Sequence, residues 1–339
     1  MKDLVIAVVG VTGAVGGTML AVLESSRLPI ARVVALATAR SAGSSVQFRG
    51  ENLTVQNIAD FDFAGVDLAL FAGGEIASAD YVPRARSAGA IVIDNSAAYR
   101  MCADVPLVVP EVNPEHLRYH RGIIANPNCS TIQMVVALAP VQRKWGLQRV
   151  TVATYQSVSG TGKEAIAELR AQANAWSQGA EIPAPKAYPQ QIAFNLLPQI
   201  GSFDAEGFSG EEIKMIKETQ KILDAPQLPV MATCVRVPVF YAHSEAVQFQ
   251  TEREAEPGEI RAELSRAPGI KVLDEPQSGI YPTPLQAEHQ DLVLVGRIRR
   301  DASIEKGLAM WVVGDNLRKG AATNAVQIAE KMAEMQLLG

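Results

Sequence analysis

The run Asn126-Pro127-Asn128-Cys129-Ser130-Thr131 puts a cysteine where it can act as a nucleophile. Pro127 and Asn128 break and cap the chain, and Ile132, Val135, Val136 and Ala139 then recur at helical spacing. Cys129 therefore falls in the first turn of a helix. Unpaired backbone N–H groups and the helix dipole favour an anion there, and so favour the thiolate, the nucleophilic form of cysteine. A free cysteine is also often a buried packing residue, so position alone leaves both readings open.

A second chemical signal lies near the N-terminus. Gly10-Val11-Thr12-Gly13-Ala14-Val15-Gly16-Gly17 follows an apolar run and opens a helix, in the pattern G-x-x-G-x-x-G. Glycines there permit a tight turn and let backbone amides approach a pyrophosphate, so Gly10, Thr12, Gly13, Ala14 and Val15 are candidate cofactor contacts. The next strand indicates which dinucleotide. An NAD site usually ends that strand with an acid for the ribose 2′-hydroxyl. Here it ends Ala35-Leu36-Ala37-Thr38-Ala39-Arg40-Ser41, without one. Arg40, with Thr38 and Ser41, suits a 2′-phosphate, and the reading is NADP.

These residues need elements to position them. Leu4 to Val9 reads as a strand buried on both faces. A helix from about Ala14 to Glu24, strands at Val33–Ala37, Val66–Ala72 and Ala90–Asp94, and a helix ending near Ser87 complete a βαβ rhythm. The expectation is a Rossmann-type, doubly wound parallel sheet with ligands at the carboxyl ends of its strands. From Arg149 the character changes. Strands at Arg149–Gln156, Cys234–Phe240, Glu245–Glu252 and Leu292–Arg299, with helices from Lys163 and over Gly210–Leu223, suggest an α+β domain with a mixed or antiparallel sheet. Residues 176–198, rich in Pro, Gln and Ala, form a long irregular excursion whose one assignable role is dimer contact. Gly314–Met335 reads as a single amphipathic helix returning to the first domain. The division is 1–127 with 314–339, and 128–313.

Composition narrows the function. The 339 residues are 48% hydrophobic and 20% charged, ordinary for a globular protein. A net charge of -5 offers no basic surface for nucleic acid. Cys102, Cys129 and Cys234 are too few for a disulfide framework, which favours a reducing, cytoplasmic setting. No apolar run is long enough to span a membrane, and no metal site is expected.

The motifs together resemble the aspartate-β-semialdehyde dehydrogenase family over nearly the whole chain. The matching pieces are Gly10 to Gly17, Asp94-Asn95-Ser96-Ala97-Ala98-Tyr99-Arg100-Met101, Asn126 to Thr131, Gln156-Ser157-Val158-Ser159-Gly160-Thr161-Gly162, Glu211-Glu212-Ile213-Lys214, Arg236-Val237-Pro238 and His243-Ser244-Glu245. The resemblance implies NADP-dependent, phosphate-requiring interconversion of aspartate semialdehyde and aspartyl phosphate by a homodimer. It also implies a place in lysine, threonine, methionine and isoleucine biosynthesis. By it, Cys129 is the nucleophile, forming a thiohemiacetal and then a thioester that phosphate attacks. Amides near Asn128 and Cys129 would stabilise the oxyanions. His243 is the general acid/base, Gln156 orients the substrate beside the thioester, and Arg236 binds the α-carboxylate. Glu211 reaches the substrate ammonium, and Arg100 and Lys214 bind phosphate. Ser159, Gly160 and Asn316 lie near the nicotinamide.

Arg236 and His243 are an odd number of residues apart, so a straight strand would point them to opposite faces. A bend near Pro238 or at Tyr241–Ala242 is therefore expected. His116, His120 and His289 read as surface residues, and Cys102 and Cys234 as packing. Two enzymes and two non-enzymes compete with this reading, one of the latter a purely binding Rossmann module, which would not need the two-anion constellation. N-acetyl-glutamyl-phosphate reductase usually has a glycine before its cysteine and an aromatic after it, where this chain has Asn128 and Ser130. The characteristic cysteine neighbourhood of glyceraldehyde-3-phosphate dehydrogenase is absent. A non-catalytic nucleotide-binding paralogue would have lost Cys129 or His243, and both are present.

Overall fold

The structure is a computed structural model and describes residues 2–338. The chain forms two compact units, residues 1–128 with 321–339, and residues 129–320. In the first unit the strands are β1 (Leu4–Val9), β2 (Ile30–Ala37), β3 (Ser45–Phe48), β4 (Glu51–Thr54), β5 (Gln56–Asn57), β6 (Leu68–Phe71), β7 (Ile91–Asp94) and β8 (Ile123–Ala125). Six of them make one sheet in the order β5-β2-β1-β6-β7-β8, and every pairing in it is parallel. β3 and β4 pair as a separate hairpin. Helices α1 (Ala14–Glu24) and α2 (Glu75–Ser87) connect the strands. Continuous apolar stretches such as Leu68–Phe71, fully buried along their length, are what a parallel sheet covered on both faces demands.

The order reverses at β1, with β2 on one side and β6 on the other, and β1 feeds the glycine turn there. This switch point is where doubly wound sheets bind ligands. Gly10 has φ +78°, and a Cβ on it would sit 2.7 Å from the Ala72 carbonyl. A Cβ on Gly16 would sit 2.2 Å from the Gly10 oxygen. Only glycine permits the chain to turn this tightly against β6.

The terminal helix, Thr323–Glu334, is shorter than the expected Gly314–Met335. Gly314 instead ends a strand, and a π-helical turn over Arg318–Ala322 comes first. The cause is the apolar run Leu308 to Val313, buried on both faces and so carrying no alternation to mark it as a strand. The terminal helix buries Ala325, Val326, Ala329 and Met332 in one core with Met19 and Leu23 of α1.

The second unit holds a six-stranded mixed sheet. Its strands are β9 (Leu147–Gln156), β10 (Val230–Arg236), β11 (His243–Thr251), β12 (Ile270–Val272), β13 (Val293–Asp301) and β14 (Gly307–Gly314), in the order β10-β9-β11-β14-β13-β12. The β10–β9 and β12–β13 pairs are parallel and the rest antiparallel. Its longer helices are α3 (Cys129–Trp145), α4 (Lys163–Ser177), α5 (Gly210–Ile222) and α6 (Pro257–Leu264). α3 is buried along nearly its whole length. That explains its largely apolar sequence and places Cys129 at the start of a deeply packed helix. β10 stops at Arg236, four residues before the expected Phe240, because Pro238 has no N–H to continue the ladder. Short strands such as β5, β8 and β12 carry too few residues for a pattern to emerge from sequence.

Candidate active site

In the second unit, β11 begins at His243, whose backbone pairs with Gly314 of β14. The chain leaving Gly314 carries Asn316 and then, in the π-helical turn, Gly320. A Cβ at Gly320 would lie 3.0 Å from the Cys129 Cβ, so the glycine backbone rests directly against the cysteine. Gln133, one helical turn after Cys129, donates from Nε2 to the His243 carbonyl at 3.3 Å. The same short stretch thus ties the cysteine helix to the histidine strand. Gln133 and Gly320 escaped sequence reasoning because neither carries a chemical signature.

His243 and Arg236 meet across Gly160. A Cβ there would lie 3.1 Å from Arg236 Nη1 and 3.2 Å from His243 Cε1 and Nε2. The bend that brings them together is at Ala242, which has φ 66°. Asn316 holds this bend. Its Oδ1 accepts from the Ala242 N–H at 3.1 Å, from Ser157 Oγ at 3.1 Å and from Ser159 Oγ at 3.0 Å. Its Nδ2 is buried and has no partner among the described residues.

A left-handed L-residue costs about 1–2 kcal/mol, while the buried Ala242 methyl is worth about 0.8 kcal/mol. Glycine also loses about 0.5–1 kcal/mol more chain entropy. These nearly cancel. Ala242→Gly is therefore expected to change unfolding free energy by less than about 1 kcal/mol, whereas the β-branched Ala242→Val should destabilise by more than about 2 kcal/mol. Urea unfolding of the two variants checks this, and equal losses would mean that the backbone angle is not what constrains the site.

His243 is fully buried. Its Nδ1 accepts the Ser157 N–H at 3.0 Å, with Ser157 Oγ also at 3.0 Å. By this bonding pattern the neutral ring carries its proton on Nε2, an atom with no partner among the described residues. Burial, and then the Arg236 guanidinium, hold its pKa well below the usual imidazole range, so the ring is neutral near pH 7. Arg236 is 5% exposed. Nη1 donates to the Ser157 carbonyl at 2.6 Å, but Nε is buried without a partner, and the guanidinium forms no ion pair among the described residues. A buried cation with no counter-ion is costly unless an anion completes it.

Gln156 donates from Nε2 to Glu211 Oε1 at 3.2 Å, and Lys214 Nζ lies 3.7 Å from Glu211 Oε2. Glu211 is buried and Lys214 partly exposed, so these three form a graded polar set on β9 and α5. Glu245, two residues past His243, is fully buried. Burial raises its carboxyl pKa well above the usual range, against a smaller opposing effect of the Gln133 amide. Cys234 is buried against Met215, and Cys102 is half-buried. His289 is exposed as expected, but His116 and His120 are half-buried, and His120 Nδ1 accepts the Gly122 N–H.

In the first unit, Gly10, Thr12, Gly13, Thr38, Arg40 and Ser41 line one hollow of about 190 Å³. Thr12 Oγ1 donates to Ser41 Oγ at 3.2 Å, closing one side. No carboxylate lines this hollow. Ala14 and Val15 open α1 beside it and are not part of its lining. Arg100 is buried. Its Nε donates to the Asn126 carbonyl at 3.0 Å and its Nη2 to the Asn95 carbonyl at 2.7 Å. It thereby braces the turn that ends in Asn128, a part that its sequence context did not announce.

Residues 5–120 match the semialdehyde dehydrogenase NAD binding domain, and residues 138–319 match the semialdehyde dehydrogenase dimerisation domain. An aspartate-semialdehyde dehydrogenase of Aquifex aeolicus is 52% identical over 98% of this chain and 99% of its own length. The chain belongs to the aspartate-semialdehyde dehydrogenase family. Among solved structures of the family, aspartate semialdehyde dehydrogenase II from Vibrio cholerae, complexed with ASA, has a TM-score of 0.95 and 46% identity, covering 98% of this chain and 99% of that one. The Candida albicans family structure with NADP has a TM-score of 0.76 and 25% identity, covering 98% and 99%. Membership brings a nicotinamide-dinucleotide-binding domain and a dimerisation domain, and makes the protein an oxidoreductase of amino-acid biosynthesis. No helix of the described residues is long and apolar enough to cross a membrane.

Proposed function

We propose that the chain interconverts L-aspartate 4-semialdehyde and L-aspartyl 4-phosphate, with NADP and inorganic phosphate, through a thioester on Cys129. The observation that carries this reading is the buried Arg236 guanidinium. It is uncompensated by any carboxylate of the described residues and lies beside His243, in the unit whose helix starts with Cys129. A substrate carboxylate completes that cation and aims the aldehyde. Glu211, buried beside Gln156, suits the substrate ammonium, and Lys214 with Arg100 suits phosphate.

The Cys129 thiolate attacks the aldehyde carbon, and the carbonyl π electrons move to oxygen. His243 Nε2–H and the helix-start amides near Asn128 and Cys129 stabilise that oxyanion by hydrogen bonding. A nicotinamide held beside Ser159, Gly160 and Asn316 would supply the hydride acceptor, and loss of that hydride from the thiohemiacetal would leave the thioester. Phosphate oxygen then attacks the thioester carbon and the Cys129 thiolate leaves, giving the acyl phosphate. Gln156 has both amide hydrogens engaged, by Glu211 and Thr154, so its Oε1 is the atom that orients substrate. Ser159, Gly160 and the unpartnered Asn316 Nδ2 suit the nicotinamide carboxamide.

The hollow of the first unit suits the phosphate-bearing adenosine end of the dinucleotide. Its glycines leave no room for side chains, and Arg40, Thr38 and Ser41 suit a 2′-phosphate. Arg40→Ala should weaken NADP binding by about 1.5–3 kcal/mol, the worth of hydrogen bonds to a charged group. NAD binding should hardly change. Titration of cofactor fluorescence measures both, and equal weakening would assign Arg40 to the fold or the pyrophosphate.

We assign the working form as a homodimer in the cytoplasm, serving lysine, diaminopimelate, threonine, methionine and isoleucine biosynthesis. Supporting the dimer, one face of the second sheet leaves Tyr155 38% and Met231 44% exposed. Large apolar side chains aligned on a sheet face suit a protein partner. The deciding assay is NADPH formation from aspartate semialdehyde with and without phosphate, beside N-acetyl-glutamate semialdehyde. Turnover of the N-acetyl substrate alone would overturn the proposal.

A further inference from the structure

We infer that residues 183–197 form a positioning strap for Arg236, clamped at a distance by Glu168 and Gln172 of α4. The inference rests on the reading of Arg236 as the α-carboxylate site.

Three sets of contacts carry it. Glu168 Oε2 accepts the backbone N–H groups of Lys186 at 2.6 Å and Ala187 at 2.7 Å. Gln172 Oε1 accepts those of Ile192 at 3.2 Å and Ala193 at 3.0 Å, and its Nε2 donates to the Pro183 carbonyl at 3.4 Å. Glu168 and Gln172 are four residues apart, on one face of α4. They satisfy N–H groups of a segment that has no regular structure of its own, which those of the buried Ile192 and Ala193 require. Gln172 is fully buried, and Ile192 and Ala193 pack with Val158, Ala165 and Leu169.

The strap then reaches the site at two points. Leu197 exchanges both backbone hydrogen bonds with Arg236, Leu197 N to Arg236 O at 3.0 Å and Arg236 N to Leu197 O at 2.9 Å. β10 is the edge strand of its sheet, held on its inner side by β9, where the Val237 N–H donates to the Gln156 carbonyl at 2.9 Å. Leu197 supplies the missing outer side at the last residue of the strand, where an edge would otherwise fray. Farther back, Tyr188 donates its hydroxyl to Thr161 Oγ1 at 2.9 Å, next to the Gly160 that rests against Arg236 and His243. Gln172 touches neither substrate nor cofactor in this account and acts through the strap on the angle of the Arg236 fork. A bidentate fork is sensitive to such an angle.

The test compares Gln172→Ala with Gln172→Glu, whose protonated, buried carboxyl accepts the same two N–H groups through its carbonyl oxygen and donates its O–H to the Pro183 carbonyl. Gln172→Ala should raise KM for aspartate semialdehyde about tenfold and lower kcat less than about threefold. The KM for phosphate, the NADP dissociation constant and the iodoacetamide rate at Cys129 should not move. Gln172→Glu should restore the semialdehyde KM to within about twofold of wild type. Amide hydrogen exchange at Leu197 and Arg236 should speed up in Gln172→Ala alone. If Gln172→Ala does not fold, Tyr188→Phe removes a single hydroxyl and should raise the same KM about two- to threefold. A general packing defect would instead lower the active fraction and leave KM unchanged, and that result overturns the strap. Arg236→Lys run alongside separates the two readings. If it raises the semialdehyde KM while folded Gln172→Ala and Tyr188→Phe do not, the strap alone is wrong. If Arg236→Lys leaves that KM unchanged, the carboxylate assignment has failed, and the strap as a device for that site fails with it.

Discussion

Cys129→Ser is expected to retain the fold and NADP binding while losing turnover by a factor on the order of 10³ or more. Serine is nearly isosteric, so the close contact of Gly320 with the Cβ at this position survives. What disappears is the ionisable group, because a serine hydroxyl is not deprotonated at a helix start near neutral pH. Steady-state assays with aspartate semialdehyde measure the loss, and cofactor titration checks that binding is intact. Retention of a tenth or more of wild-type turnover would rule out a covalent path through this residue. Iodoacetamide supplies an independent reading, with Cys129 labelled before Cys102 and Cys234. Cys234 should be slowest, since burial and then Glu211 raise its thiol pKa well above the ordinary range. Faster labelling at either other cysteine would count against activation by the helix start.

Arg236→Lys should raise the KM for semialdehyde ten- to a hundredfold, the equivalent of losing about 1.5–3 kcal/mol from a charged hydrogen bond. Lysine keeps the charge but cannot both reach the Ser157 carbonyl, as Nη1 does at 2.6 Å, and present a planar fork to a carboxylate. Some loss of kcat is expected too, because a misplaced aldehyde spoils the approach to Cys129. Lys214→Ala should instead raise the KM for phosphate and spare the first half-reaction, seen as a burst of NADPH without phosphate. Arg100→Lys is a less clean probe of the phosphate site. Its guanidinium also holds the Asn126 and Asn95 carbonyls, so the substitution disturbs the turn before Cys129 as well. Should Arg236→Lys change the phosphate KM alone, the two anion assignments must be exchanged.

Features encoded over a few neighbouring residues were legible in the sequence. The helix start at Cys129, the glycine turn after β1, the parallel strands of the first sheet and the change to an α+β pattern in the second unit all rest on local periodicity and backbone preference. Those signals are short-range, and they weaken where strands are two or three residues long or buried on both faces, as with β5, β8, β12 and β14. The geometry among distant residues was decided by the tertiary structure. Arg236 and His243 meet because Ala242 adopts a left-handed angle under the hold of Asn316, a residue far away in sequence. The irregular stretch after α4 gains a place through hydrogen bonds to Glu168, Gln172 and the edge of β10 and through the packing of Ile192 and Ala193. The state of His243 likewise depends on complete burial and on a neighbouring guanidinium. Solvent exclusion and long-range contacts arise only when the chain closes on itself, so no local pattern of residues carries them.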